Sequence, residues 1–223
     1  MNEAVIELAG ARLVPLASGG LYWPDERLLC VSDLHLGKSD RIARRGGTML
    51  PPYETRDTLA RIEADLSATG AKTVVCLGDS FDDRAAAESL EDSEVEWILR
   101  LQAGRRWVWI EGNHDPGPVN LAGTYLAEMP VGPLVFRHIA QADAQGEVSG
   151  HYHPKAELSA RGRRVVRRCF LWDGDRIVMP AYGTYTGGLS WTSPVLQGLM
   201  SKGAQAALLG SPVRCVPVPG VSA

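Results

Sequence analysis

The sequence predicts an α/β (α+β) fold, and three observations carry that prediction. Short apolar runs alternate with segments of helical period through the first half, in the order strand, helix, strand, helix, strand, which favours α/β over all-β. The runs at 27–31, 73–77 and 107–110 each end in a motif carrying Asp or His. Functional groups of open α/β sheets gather beyond the carboxyl ends of strands, so this placement marks a chemically active rim. The second half then turns to β-like runs at 134–137, 147–149, 165–172 and 176–179.

The elements follow in order. Residues 4–8, 11–16 and 21–23 read as strands, and Pro24-Asp25-Glu26 as a turn before the strand at 27–31. Leu59, Ile62 and Leu66 recur at i, i+3 and i+7 and predict a helix stopped by Gly70. A second helix is expected to begin near Ser93, which has capping-box spacing with Glu96, and to end at Gly104. Asp173-Gly174 signals a hairpin. Ser193 and Pro194 suit the N-cap and first position of a late helix. Residues 211–223 hold three prolines and no periodicity, so they read as a loose tail after a single domain over 1–210.

A formal net charge of -3 argues against indiscriminate binding to polyanions and leaves room for a local basic groove. The start, Met1-Asn2-Glu3-Ala4-Val5, shows no basic segment followed by an apolar one. No apolar run approaches the ~20 residues needed to cross a bilayer, so no membrane is expected. Cys30, Cys76, Cys169 and Cys215 form no CxxC pair, and Cys30 and Cys76 sit inside apolar runs. These features point to a reducing, cytoplasmic setting.

All 5 histidines fall inside one ordered series of polar motifs. These are Asp33-Leu34-His35, Gly78-Asp79, Gly112-Asn113-His114-Asp115, an isolated His138, and Gly150-His151-Tyr152-His153. Imidazole and carboxylate are the usual ligands of divalent transition metals, and the set holds enough of both for two ions. Two-metal sites serve to break phosphate esters. Asp33 and His35, two apart at a strand end, share a face. Asp79 suits bridging two ions, with a helix N-cap as the plainer alternative. Asn113 offers a neutral amide oxygen, and His114 beside Asp115 suits an acid held by its neighbour. His138 alone would read as structural. Asp82 and Asp83 either accept from a ligand histidine or stand as a solvated pair opening a helix.

Taken together, the order DxH, GD, GNH[DE], H, GHxH resembles the metallophosphoesterase (calcineurin-like) superfamily in every element. Four phrases resemble more narrowly the bacterial ligase-associated DNA-damage-response endonuclease family, across about residues 21–189. They are Leu77-Gly-Asp-Ser-Phe-Asp-Asp83, Glu111-Gly-Asn-His-Asp-Pro-Gly-Pro118, Ser149-Gly-His-Tyr-His-Pro-Lys155 and Pro180-Ala-Tyr-Gly-Thr-Tyr-Thr-Gly-Gly-Leu189. The resemblance implies a two-sheet β-sandwich flanked by helices, with a dinuclear metal site at strand ends. It implies that Asp33, His35, Asp79 and His153 hold one ion, and that Asp79 bridges to a second completed by Asn113, His138 and His151. Mn2+ is the expected ion, while Fe and Zn suit the same ligands. It also implies a phosphodiesterase acting as an endonuclease on single-stranded or flexible DNA in bacterial DNA repair, with a ligase, a helicase and an exonuclease as partners.

On this reading, water activated between the ions attacks phosphorus in line, His114 protonates the leaving group and Asp115 orients His114. A phosphatase or a nucleotide or lipid pyrophosphohydrolase of the same fold stays open. A non-catalytic scaffold is disfavoured by the intact metal motifs. Lys38, Arg41, Arg44 and Arg45 follow the first motif in what reads as a loop, placed to line the approach of a phosphate backbone. Tyr152, Trp23, Tyr182 and Tyr185 are candidate base-stacking groups, with Trp23 as readily core. Arg161, Arg163, Arg164, Arg167 and Arg168 form a second basic stretch, as readily a solvated hairpin as a contact for DNA. Residues 183–188 are expected as a tight loop near the metals, with N–H groups available to phosphate.

Overall fold

In the computed structural model, which describes residues 4–47, 50–160 and 162–221, the apolar runs of the first half assemble one mixed sheet. β1 (Ile6–Leu8), β2 (Ala11–Pro15), β3 (Leu21–Trp23) and β4 (Leu28–Val31) pair antiparallel in that order. After α1 (Lys38–Arg44) and α2 (Glu54–Thr69) come β5 (Thr73–Leu77), α3 (Arg84–Glu88), α4 (Asp92–Gln102), β6 (Arg106–Ile110) and β7 (Thr124–Leu126). Strands β4 to β7 run parallel, each crossover between β4, β5 and β6 carrying helices.

The second sheet contains β8 (Glu128–Val131), β9 (Leu134–Arg137), β10 (Glu147–Ser149), β11 (Lys155–Ala160), β12 (Arg163–Trp172) and β13 (Arg176–Val178). It is completed, after α5 (Pro194–Leu199), by β14 (Gln205–Leu208) and β15 (Arg214–Pro217). Its spatial order is β15-β14-β12-β13-β10-β9-β8, with β11 paired to β12. Here β9, β10 and β13 are parallel and their neighbours antiparallel.

The period of two along each central strand explains the layers. Leu28, Cys30, Val75, Leu77, Val108 and Ile110 face the second sheet and meet Phe136, Val148, Phe170 and Ile177. The alternate residues Leu29, Val31, Val74, Cys76, Trp107 and Trp109 pack on Leu59, Ile62 and Leu66 of α2 and on Ile98 and Leu101 of α4. The outer face of the second sheet, with Cys169, Leu171, Val178 and Ala206, is covered by Trp191, Leu196 and Met200. Strands buried on both faces read as continuous apolar runs, which is why they were visible in sequence. The result is the expected two-sheet sandwich flanked by helices. No described helix is long and apolar enough to cross a membrane.

Several expectations change. The second helix is capped by Glu91, not Ser93, with a capping box between Glu91 and Glu94. The Glu94 side chain accepts from the Glu91 N–H at 3.2 Å, so the box sits two residues earlier than the Ser93 spacing suggested. The proline-containing end is not loose up to Pro217: β15 pairs with β14 at the sheet edge, and Val218 is buried. An edge strand tolerates proline because one side of its ladder needs no partner. The stretch bearing Lys38, Arg41 and Arg44 is helix α1 rather than a loop, with Arg45 as its C-cap. Arg161 lies outside the described residues.

Candidate metal centre

Strands β4, β5 and β6 of one sheet and β9 and β10 of the other release their chains at the same edge of the sandwich, and the predicted motifs meet there. Asp33 and His35 follow β4, Asp79 follows β5, Asn113 and His114 follow β6, His138 follows β9, and His151 and His153 follow β10. Ligand atoms of Asp33, His35 and His153 lie within 4.8 Å of one another, and so do those of Asp79, His138 and His151. A third group of the same span joins His35, Asp82 and His114. Asn113 belongs to the second cluster through its Oδ1, 3.0 Å from His138 Nε2.

Local backbone geometry makes this convergence possible. Asp33, His35, Asp79, His151 and His153 all have positive φ, between 46° and 69°. Such left-handed conformations are uncommon for residues with a side chain and cost on the order of 1–3 kcal/mol each. The surrounding loops hold them by hydrogen bonds, such as His35 N–H to the Asp79 carbonyl at 2.9 Å and His151 N–H to Asp33 Oδ2 at 2.9 Å. Two glycines permit the close approach. A Cβ on Gly78 would sit 2.5 Å from His138 Nδ1, and one on Gly150 would sit 1.9 Å from Ser32 Oγ.

The donor set fits divalent cations. His138 Nδ1 is 2.8 Å from the Leu77 carbonyl, which accepts its N–H and turns Nε2 toward the site. Around that atom lie Asn113 Oδ1 at 3.0 Å, His151 Nδ1 at 3.3 Å and Asp79 Oδ2 at 3.4 Å. Donors aimed at one place repel each other unless a proton, as on His138 when it pairs with Asp79, or a metal cation joins them. His35 presents its Nδ1 to Asp82 at 2.9 Å, while its Nε2 is buried and has no hydrogen-bond partner among the described residues. His153 Nε2 stands 2.9 Å from Asp33 Oδ1.

Burial opposes ionisation of these carboxyls, yet their partners win. His153 and His138 hold Asp33 below its ordinary value. His138 and the His114 N–H hold Asp79 well below the carboxylate range. Asp82, fully buried, is brought down to about 2 by His35, Lys38 and Arg41. Anionic oxygens at neutral pH are what metal ligation requires.

A model of the calcineurin-like phosphoesterase family matches residues 26–180, which include every residue of this centre from Asp33 to His153. The chain belongs to the calcineurin-like phosphoesterase family. This phosphoesterase is also similar to the crystal structure of Pseudomonas putida nuclease MPE, at 28% identity and a TM-score of 0.75, with 96% of this chain and 100% of that chain covered. No curated protein sequence matches it. As a calcineurin-like phosphoesterase it is a metal-dependent hydrolase of phosphoesters.

The phosphoesterase uses some predicted residues in other ways. Asp115 does not orient His114: its oxygens accept from the backbone N–H groups of Asp79 (2.9 Å), Ser80 (2.7 Å), Phe81 (3.2 Å) and Gly112 (3.1 Å). Burial, with Asp79 beside it, pushes the Asp115 carboxyl up to about 6 despite these donors. His114 is instead held through Nδ1, 2.9 Å from the Asp82 carbonyl. The two readings of the Asp82-Asp83 pair divide between them. Asp82 stands behind His35, and Asp83 caps α3 by accepting from Ala86 N–H.

The basic residues of α1 are engaged internally. Arg41 pairs with Asp82, Lys38 Nζ lies 3.5 Å from Asp82, and Arg44 bridges Asp40 and Asp83. Arg45 stays largely exposed, 4.0 Å from Asp83. Tyr152 is half-buried, edge-on to His151 at 5.0 Å between ring centroids. Trp23 is core, and Tyr182 is not a stacking platform: it is fully buried with its hydroxyl donating to Asp65 at 2.9 Å. Sequence reasoning did not single out Ser32, which donates to Asp33. A serine beside a ligand carries no spacing signal of its own.

Proposed function

We propose that the protein is a phosphodiesterase that cuts nucleic acid as an endonuclease on single-stranded or flexible DNA. What carries this reading is the meeting of two carboxylate-imidazole triads at one strand edge. The full-length similarity to a nuclease supports the choice of substrate. In this reading Asp33, His35, Asp79 and His153 hold one divalent ion, and Asp79, Asn113, His138 and His151 hold the other. We take the ions to be Mn2+. When bound, they would lower the pKa of water to near neutrality and offset charge on the phosphoryl oxygens.

The chain's own part is to position and to move a proton. The Asp82 carbonyl accepts the Nδ1 proton of His114, so the proton given to the leaving oxygen is the one on Nε2. Asp115 acts one step back, tying the Gly78-Asp79 and Gly112-Asn113 loops together through backbone N–H groups. We retain Arg45 as a phosphate contact and Tyr152 as a substrate contact, and assign Lys38, Arg41 and Arg44 to buffering Asp82 and Asp83. The place in cytoplasmic DNA repair beside a ligase, a helicase and an exonuclease rests on the motif resemblance.

The deciding experiment compares single-stranded, duplex and circular DNA with bis-p-nitrophenyl phosphate, with Mn2+ added and Asp79→Ala as control. Mn2+-dependent linearisation or nicking of circular DNA that vanishes in the control supports an endonuclease. Hydrolysis of small esters with every DNA untouched would turn the reading to a small-molecule phosphoesterase.

A further inference from the structure

Beyond β13, the loop at 183–188 separates the metal centre from a second cluster of polar groups that the centre does not use. Gly183 N–H donates to the Asp33 carbonyl at 3.1 Å, and Gly188 packs so closely on His153 that a Cβ would lie 2.1 Å from its carbonyl oxygen. On the far side of this loop opens a cavity of about 440 Å³, walled by Asp57, Arg61, Arg168 and the loop residues Thr184 and Tyr185.

Arg61 is anchored there. It donates to the Tyr182 carbonyl at 2.8 Å and to Thr184 Oγ1 at 2.8 Å, and pairs with Asp57 at 3.2 Å. Arg168, half-buried on β12, donates to the Ala181 carbonyl at 3.0 Å and has no carboxylate partner among the described residues. Lys155 Nζ, donating to the Thr186 carbonyl at 3.1 Å, likewise has none among the described residues. Arg61, paired with Asp57, and the carboxylate-free Arg168 therefore line this cavity, and Lys155, just outside its wall, is the cross-strand neighbour of Arg168. Burial, and then the charge of Arg61, push the Arg168 guanidinium below its ordinary value. Half-buried like charges held together are unfavourable unless an anion completes them. At the rim, Tyr185 meets the exposed Tyr53 at 5.7 Å between ring centroids, offering aromatic surface beside the positive cavity.

We propose that this cavity is an auxiliary nucleotide subsite: Arg168, Arg61 and Lys155 take a backbone phosphate flanking the one at the metal centre, and the Tyr185–Tyr53 pair takes the adjoining base. The proposal rests on the polynucleotide reading above. It explains why cations stand one loop away from the ligands rather than among them. A guanidinium can bind a phosphate through two parallel N–H groups, an ammonium binds it as a point charge, and a base stacks on an aromatic face.

The test uses the full chain without added divalent metal, so that binding is read apart from cleavage. Anisotropy of a labelled single-stranded oligonucleotide is measured across salt for wild type, Arg168→Gln, Arg168→Lys, Lys155→Gln and Tyr185→Ala. Arg168→Gln should weaken binding about tenfold and flatten the salt slope by about 0.7, the value for one lost phosphate contact on a single strand. Arg168→Lys should recover most of the slope. Tyr185→Ala should weaken binding about fivefold or more and leave the slope in place, since stacking carries no counterion release. In the Mn2+-loaded protein, the ratio of KM for the oligonucleotide to KM for bis-p-nitrophenyl phosphate should rise with Arg168→Gln.

Wild-type affinity and slope in Arg168→Gln would overturn the subsite while leaving the nuclease reading intact. If wild type hydrolyses the small diester yet neither binds nor cuts any oligonucleotide, both readings fall together. Inorganic phosphate that protects wild type but not Arg168→Gln against melting, with oligonucleotide binding equal in the two, would mean a free-anion site and overturn the strand assignment. Should Arg168→Gln fail to fold, Lys155→Gln decides, and a wild-type slope there overturns the subsite.

Discussion

The two triads of the centre have the same donors and differ in what stands behind them. In the cluster of Asp33, His35 and His153, the imidazole of His35 is backed by the buried carboxylate of Asp82, itself neutralised by Lys38 and Arg41. In the cluster of Asp79, His138 and His151, the imidazole of His138 is backed by the neutral Leu77 carbonyl. Both arrangements fix the ring so that Nε2 faces the site, but a carboxylate raises the basicity of its histidine further than a carbonyl does. The difference teaches that a pair of equal ligand sets need not be a pair of equal ion positions. The Asp82-backed position should hold its cation more tightly.

The largest effect should come from the residue both positions share. Asp79→Ala is expected to remove metal from both triads and take hydrolysis to background, read by elemental analysis beside a bis-p-nitrophenyl phosphate assay. Retention of a full metal complement would break the comparison at its root. Next, His114→Ala should keep its metal and slow hydrolysis of alkyl diesters by about 10²–10⁴-fold, with a much smaller loss on p-nitrophenyl esters that need no acid. Equal losses on the two leaving groups would remove His114 from the acid role.

Asp82→Asn sharpens the asymmetry directly. It should weaken Mn2+ at the His35 position by about 10–100-fold and spare the His138 position, seen by calorimetric titration as the separation of two binding steps. Uniform weakening would mean that Asp82 serves only the fold. The smallest effect is on stability: Asp115→Asn keeps one acceptor oxygen for backbone donors that now share two, and should cost about 1–3 kcal/mol, lowering Tm by several degrees. A loss of the metal with unchanged melting would instead place Asp115 among the direct determinants of the ions.

Much of this was readable in the chain, for identifiable reasons. The central strands announce themselves because β4, β5 and β6 are buried on both faces and so carry unbroken apolar runs. The candidate ligands are legible because a residue type suited to metal has to be supplied by the side chain itself. The parts that escaped depend on backbone atoms. Asp115 looked like a partner for its sequence neighbour, but its acceptors are N–H groups of residues 79 to 81 and 112, which any sequence possesses. β8, with Pro130 inside it, and β15, ending in Pro217, sit at the two edges of their sheet, where burial is slight and pattern weak. The Ser93 cap failed for a similar reason, since Glu91 and Glu94 offer the same chemistry two residues earlier.

One consequence of the left-handed candidate ligands concerns how this protein could be improved, or spoiled. Glycine would adopt the backbone of Asp33, His35, Asp79, His151 or His153 without steric penalty. Asp33 and Asp79 also accept backbone N–H bonds there, so only at His35, His151 and His153 would a selection for heat resistance that ignored turnover be drawn to glycine, and any gain would erase a candidate cation ligand. Thermostabilisation of this scaffold has to be sought elsewhere, on its helices and sheet edges.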